Sequence, residues 1–552
     1  MRADLLSHDL WVAVVFGGIA LMVGMLPRAA LPRARLARLM AALIGGWSLA
    51  YLGVVADGVP VDHGSPSRPI AIGSILALFG AAAASVTALG VACLEVANEI
   101  RMSSRGRGDE VGHDLDLADA RVQPTTWLLL GGVVLATLRA ETIGGLAAGF
   151  MACSGVAAWV FWQARALGGT SAVRQAVRAG LVGGVALMIV GGLSQVGALD
   201  PVQIDAEAGV VSTLARQRLC AALVFVALWL GSPLLPSLPQ WRGAEERVPE
   251  LVLVRWLAWL PALRLVAEVG PSVAPVVWGE WAGPFAWVWT MTAFTLIIFR
   301  GPAHERVAPT SRRGEGWRIF AVACGAAAML GAWTGTAAGL LGAVFVWVAM
   351  ALTLCVASIW EVSTAAPSEE TARSSAKSLI TGAALAMCIG GVGSPLTVGL
   401  PGVVRGLTSG ESTQLSQGVA LALAAISLVL IATVATVRQV LARGHCEDRT
   451  SMRAKDLGLG VVAGLLLAAG LTADPLIQAE RRLAEGVEAE VQAIQARRCR
   501  AVTVRDAVRV RSVSDVNAPA CANPGSALRA VYGLRPRPPS RASDPVLEGG
   551  QP

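Results

Sequence analysis

Side chains able to pass a proton are scarce in the apolar body of this sequence. There are only two lysines, Lys377 and Lys455, both at the borders of apolar runs. All five histidines (His8, His63, His113, His304, His445) fall in terminal or loop segments. Glutamate is likewise read as missing from the positions where a buried relay needs it. A chain of intramembrane Lys, Glu and His groups is therefore not expected. Metal chemistry is disfavoured too, since the nine cysteines form no C-x-x-C and no His/Cys cluster. Cys93, Cys153, Cys220, Cys324, Cys355 and Cys388 lie in or beside apolar runs, where cysteine is usually a small core residue. No nucleophile–base pair, metal set or phosphate-cradling loop occurs, and the loops are too short for an active site, the C-terminal tail apart. No cofactor and no metal are expected.

What the chain does have is hydrocarbon. Apolar residues fill 54% of 552 positions, charged residues 15%, and the mean hydropathy is +0.60. A soluble chain of this length would carry about a quarter charged residues. The apolar residues come in runs long enough to cross a ~30 Å hydrocarbon core. Spans are expected near 10–26, 38–56, 69–94, 125–138, 142–163, 179–198, 218–233, 251–268, 284–299, 319–334, 338–360, 378–398, 416–437 and 457–472. The expected fold class is all-α: a polytopic bundle of about 14 transmembrane helices in the lipid bilayer. The 61 glycines and many alanines suit helices that pack through small side chains.

The net charge of +7 is mostly loop arginine, which points to control of topology and not to nucleic acid. Arg28, Arg33 and Arg35 follow the first span; Arg165, Arg174 and Arg178 follow the fifth. Arg300, Arg306, Arg312 and Arg313 follow the ninth; Arg443, Arg449, Arg453 and Lys455 follow the thirteenth. These alternate loops share one side, which the positive-inside rule makes cytoplasmic. Both termini are then expected outside the cytoplasm, with the chain in a bacterial inner (plasma) membrane. The first span lacks a basic segment followed by a small-residue cleavage site and is expected to be retained. The loop at 95–124 mixes both charge signs without EF-hand spacing, as a solvated loop does.

Three regions follow: residues 1–124 with three spans and a cytoplasmic loop, a helical core at 125–472, and an extracytoplasmic tail at 473–552. In the tail, Leu476, Leu483, Val487, Val491 and Ile494 recur at helical spacing among charges, giving an amphipathic helix. Val502, Val504, Val508 and Val510 then alternate with polar residues, the pattern of a short strand. A Pro-, Arg- and Ser-rich end follows, of disordered composition. Spacing alone leaves open whether Cys499 and Cys521 pair.

Proline inside a span needs a reason, because it leaves backbone groups unmatched in lipid. Two clusters stand out: Pro233-Leu-Leu-Pro-Ser-Leu-Pro239 after the seventh span and Ser394-Pro-Leu-Thr-Val-Gly-Leu-Pro-Gly402 at the twelfth. Here the chain resembles the antiporter-like subunits of respiratory complex I (the NADH-quinone oxidoreductase) and of multisubunit cation/proton antiporters. Pro233, Leu234, Leu238 and Pro239 match that family's seventh-span motif, and Pro395, Gly399 and Gly402 its twelfth. The resemblance covers about 125–480 and implies fourteen core spans, with helices seven and twelve discontinuous at these residues.

The departures are as ordered as the matches. By resemblance, the family's fifth-span Glu falls on Ser154, or on Cys153 by the alternative count. Its seventh-span Lys becomes Leu228 and its eighth-span Lys falls near Ala262. The Lys before the tenth span becomes Trp317, the buried eleventh-span His aligns with Phe345, and Val403 replaces the twelfth-span charge. Arg255 and Arg264 are the polar groups nearest to a substitute on the eighth span, and arginine does not release its proton. Either could orient water or pair with lipid headgroups, and Arg264 could instead snorkel to an interface. The reading is a degenerate antiporter-like subunit whose partners are other membrane subunits and whose work is packing or assembly. Two alternatives stay open: a working proton or cation translocator with a non-standard relay, including water chains along Ser154, Ser194 or Thr397, and an unrelated polytopic transporter. Quinone, flavin and iron–sulfur centres belong, by the resemblance, to other subunits.

Overall fold

The computed structural model describes residues 79–84, 86–88, 90–91, 94, 124–140, 142–163, 170–199, 206–232, 249–300, 315–365, 395–409 and 415–444. The expected first, second and fourteenth spans, most of the twelfth, the Pro233–Pro239 cluster and the tail lie outside the described residues. Within them the chain is helical throughout. α1 is Pro124–Arg139, α2 Ile143–Gln163, α3 Thr170–Leu199 and α4 Ala206–Gly231. One interrupted span follows: α5 (Pro249–Trp259), α6 (Pro261–Arg264), a π-turn (Leu265–Val269) and α7 (Gly270–Val273). Then come α8 (Pro275–Arg300), α9 (Glu315–Trp333), α10 (Ala337–Ala365), α11 (Pro395–Ser409) and α12 (Leu415–Gly444).

Local chemistry explains many of these boundaries. α1, α5, α6, α8 and α11 all begin with proline, which is preset for the first helical position where its missing N–H costs nothing. Between α9 and α10, Gly335 takes a left-handed φ of 62°, open to glycine at no steric cost. Thr334 and Thr336 complete that turn, the Thr336 hydroxyl accepting the Gly339 N–H at 3.1 Å as a helix N-cap.

Among the described residues, six helices are long and apolar enough to cross a membrane. Leu181 and Met188 on α3, Met291 and Ile298 on α8, and Leu423 and Leu430 on α12 are exposed. Such faces are costly in water and ordinary in lipid. The chain is a multi-pass membrane protein. α9 and α10 are largely buried, and the interrupted span threads between them and the earlier helices. α5 packs on α1, α2, α9 and α10; α6 touches α1; the π-turn touches α9; α7 meets α4 and α8.

Glycine sets the closest approaches. A Cβ on Gly342 of α10 would stand 2.5 Å from the Gly399 carbonyl oxygen and the Val403 amide of α11. Gly325 of α9 makes room for Trp256, whose ring lies 2.0 Å from the place a Cβ would take. Around the interrupted span aromatic rings fill the interior: Trp259 stacks on Trp289 at 5.3 Å between centroids, and Trp278 on Trp333 at 5.0 Å. Such pairs add stabilisation beyond their buried area.

Candidate functional site

The interrupted span is unusual for its prolines. Pro261 follows a turn in which the Leu260 N–H reaches back only to the Leu257 carbonyl, at 3.1 Å. Pro271 has no N–H, and just before it the Gly270 N–H reaches five residues back to the Leu265 carbonyl. That is a π-turn, a single-residue widening common at functional sites. Ala274, ahead of Pro275, leaves helical geometry at φ −140° and ψ 58°, as a residue before proline tends to.

At this widened turn lies a fully buried ion pair. Arg264 Nε donates to Glu268 Oε2 at 2.8 Å, and both side chains are 0% exposed. Arg264 Nη1 also donates to the carbonyl oxygen of Leu138, in the last turn of α1. That carbonyl is one of the four an α-helix leaves unmatched at its C-terminus, the end where the helix dipole favours a cation. Arg264 thus serves as counter-ion and helix cap together. The residues flanking the pair, Ala262, Leu263, Leu265, Val266, Ala267 and Val269, are buried and apolar.

Two expectations are corrected here. Arg264 does not snorkel to an interface: it is buried because its guanidinium finds both a carboxylate and a helix terminus inside the bundle. Nor are the spans empty of glutamate. Glu268 sits at the end of the eighth apolar run, and Glu250, also buried, opens it in the first turn of α5. The signal that could have found the pair is Arg264-x-x-x-Glu268, the spacing that places two side chains on one helix face.

The positions taken from the family resemblance are scattered and mostly apolar. Leu228 of α4, Ala262 of α6 and Val403 of α11 are completely buried, and Trp317 of α9 nearly so. Ser154 and Phe345 are half-buried. Ser154 packs on Gly180 of α3. Its neighbour Cys153 lies 3.4 Å from the Thr137 hydroxyl, which donates to Val133. Arg255 is half-buried on α5. Gly399 and Gly402 lie within α11 and let α10 approach, and Pro395 begins that helix. Pro233 and Pro239 lie outside the described residues, as does the Thr397 side chain. The Ser194 hydroxyl is satisfied by the Gly191 carbonyl at 2.8 Å. Thr290 and Thr353 likewise bond carbonyls of their own helices. Among the described residues no group of His, Cys, Asp and Glu is placed to hold a metal.

The sequence matches no protein-family model and no curated protein. Its fold, however, matches solved membrane complexes. A chain of respiratory complex I from Thermus thermophilus superposes with a TM-score of 0.56 at 18% identity, covering 88% of this chain and 99% of that one. A chain of the Mrp complex from Dietzia sp. DQ12-45-1b gives 0.54 at 16% identity, over 93% of this chain and 56% of that one. A chain of the membrane-bound sulfane sulfur reductase, an archaeal respiratory membrane complex, gives 0.50 at 15%, covering 90% and 99%. This chain therefore shares its fold with chains of these three membrane complexes.

Proposed function

We propose that this chain is an antiporter-like membrane subunit of a respiratory or antiporter-type complex, contributing packing and assembly with little or no ion translocation of its own. The observation that carries this reading is the burial of Leu228, Ala262 and Val403 in a continuous apolar core. By the resemblance, these are places where a pumping relative holds ionisable groups. Ionisable residues inside a membrane are costly, and functional need is the usual reason they persist. Apolar replacements at these places remove both the cost and the relay.

Partners in this reading are sibling membrane chains, with lipid around the outer helices. The location is a bacterial inner membrane, with both termini outside the cytoplasm, 125–472 as the helical core and the tail from 473 on the outer side. Helix breaks at Pro233–Pro239 and near Pro395 belong to the same reading, as remnants of the scaffold.

A second reading, translocation by a non-standard relay, is favoured by one observation: the buried Arg264–Glu268 pair. A relay needs successive groups whose proton affinity can be switched by neighbours. The pair is flanked by apolar side chains, and its cation is arginine, so the structural reading is preferred.

The deciding experiment is native-gel separation after mild solubilisation, with mass spectrometry of what migrates with the chain. Co-migration with quinone-oxidoreductase or antiporter subunits is expected. Migration alone, or with unrelated transporters, would overturn the proposal.

A further inference from the structure

Among the described residues, most buried hydroxyls bond within their own helix. Thr87, Thr290 and Thr353 each donate to the carbonyl four residues back on the same helix. The Arg264 guanidinium is different, because it joins two elements 126 residues apart. One of its nitrogens serves Glu268 within the π-turn and another serves the Leu138 carbonyl at the end of α1. A lysine offers a compact point charge with no fixed fork, so arginine suits two acceptors in two directions.

We propose that Arg264, Glu268 and the Leu138 carbonyl form one electrostatic staple that locks the interrupted span in a single register against the end of α1. The span carries Pro261, Pro271 and the π-turn within eleven residues, so its own backbone ladder fixes its register poorly. Moving the π-turn to the other side of Glu268 would rotate that carboxylate relative to Arg264 and break the pair. The burial of both charges makes the broken state costly, which is what holds the turn in place. The glycine contacts of the span lie outside the turn: Gly325 of α9 seats Trp256 of α5, and Gly270, just past the turn, admits Trp278 of α8. The staple stands whether or not the chain moves ions.

The test uses the full-length chain in its native membrane and after purification in detergent. Folded yield is read from the monodisperse fraction and from the thermal midpoint. R264M and E268L each break the buried pair from one side, and each is expected to lower the folding equilibrium constant by about a hundredfold or more. R264M/E268L removes both charges and is expected to recover much of that loss, exceeding either single variant. The swap R264E/E268R keeps a neutral pair but turns a carboxylate toward the Leu138 carbonyl, acceptor against acceptor, and is expected to stay impaired. Single variants that match the wild type would overturn the staple, as would a double variant worse than both. A swap that restores wild-type behaviour would overturn the capping of α1.

Discussion

At the scale of the residue, burial decides what a substitution does. Gly325 faces the edge of Trp256, and a Cβ there would lie 2.0 Å from the ring, far inside contact distance. Trp256 is held by Trp259 edge-on at 5.7 Å and has little room to retreat. Gly325→Ala is therefore expected to destabilise the protein by about 1–3 kcal/mol, the usual cost of overpacking. A thermal melt in detergent reads this, and Trp256→Leu in the same background should return part of the loss; an unchanged midpoint would contradict the packing. Leu228→Lys is a harsher change. It sets an ammonium in a wholly buried apolar site, at a cost of about 2.5–3.5 kcal/mol on membrane-insertion scales. Cleanly folded Leu228→Lys protein at wild-type yield would mean that the site is hydrated and the apolar reading wrong. The same scale shows what the sequence hid. Glu268 stands at the last position of an apolar run, where a charge reads as a border, and only its four-residue spacing from Arg264 hints at a pair.

At the scale of the element, helices at the fourth to the eleventh and the thirteenth apolar runs are legible, and six of them have the length and apolarity to cross a membrane. Proline then marks where several of them start. The π-turn is not legible, because it depends on how Gly270, Pro271 and the α1 terminus fit together and leaves no period in the apolar pattern. The role of Gly399 and Gly402 was only half legible. Their small size was clear, but they serve the approach of α11 to α10 and lie within a helix. That approach can be tested. Gly342→Ala brings a methyl within 2.5 Å of backbone atoms on α11, and backbone cannot rotate away. The two helices must separate, so α11 should become more accessible to protease or to a thiol reagent at an introduced cysteine while α1–α4 keep their protection. Unchanged protection of α11 would show that the helices are not this close.

At the scale of the whole molecule, the question is whether a path crosses the bundle. The fold is shared with chains of respiratory and Mrp complexes at 15–18% identity, and in this chain proline starts and glycine contacts shape it. A proton path asks for more, because it fails at its weakest step and cannot average over gaps. Leu228, Ala262 and Val403 are all buried and apolar, and the buried hydroxyls of Thr290 and Thr353 are committed to their own helices. Purified protein in liposomes is therefore expected to show no proton flux above empty vesicles under an imposed potential. Introducing two ionisable groups together, Ser154→Glu with Leu228→Lys, should not create flux either. Ser154 packs on α3 and Leu228 lies on α4, and on the proposed reading Ala262, Phe345 and Val403 would remain without an ionisable group. Flux in the wild type that E268Q abolishes, with the folded fraction unchanged, would reverse the argument and make the buried pair part of a working relay.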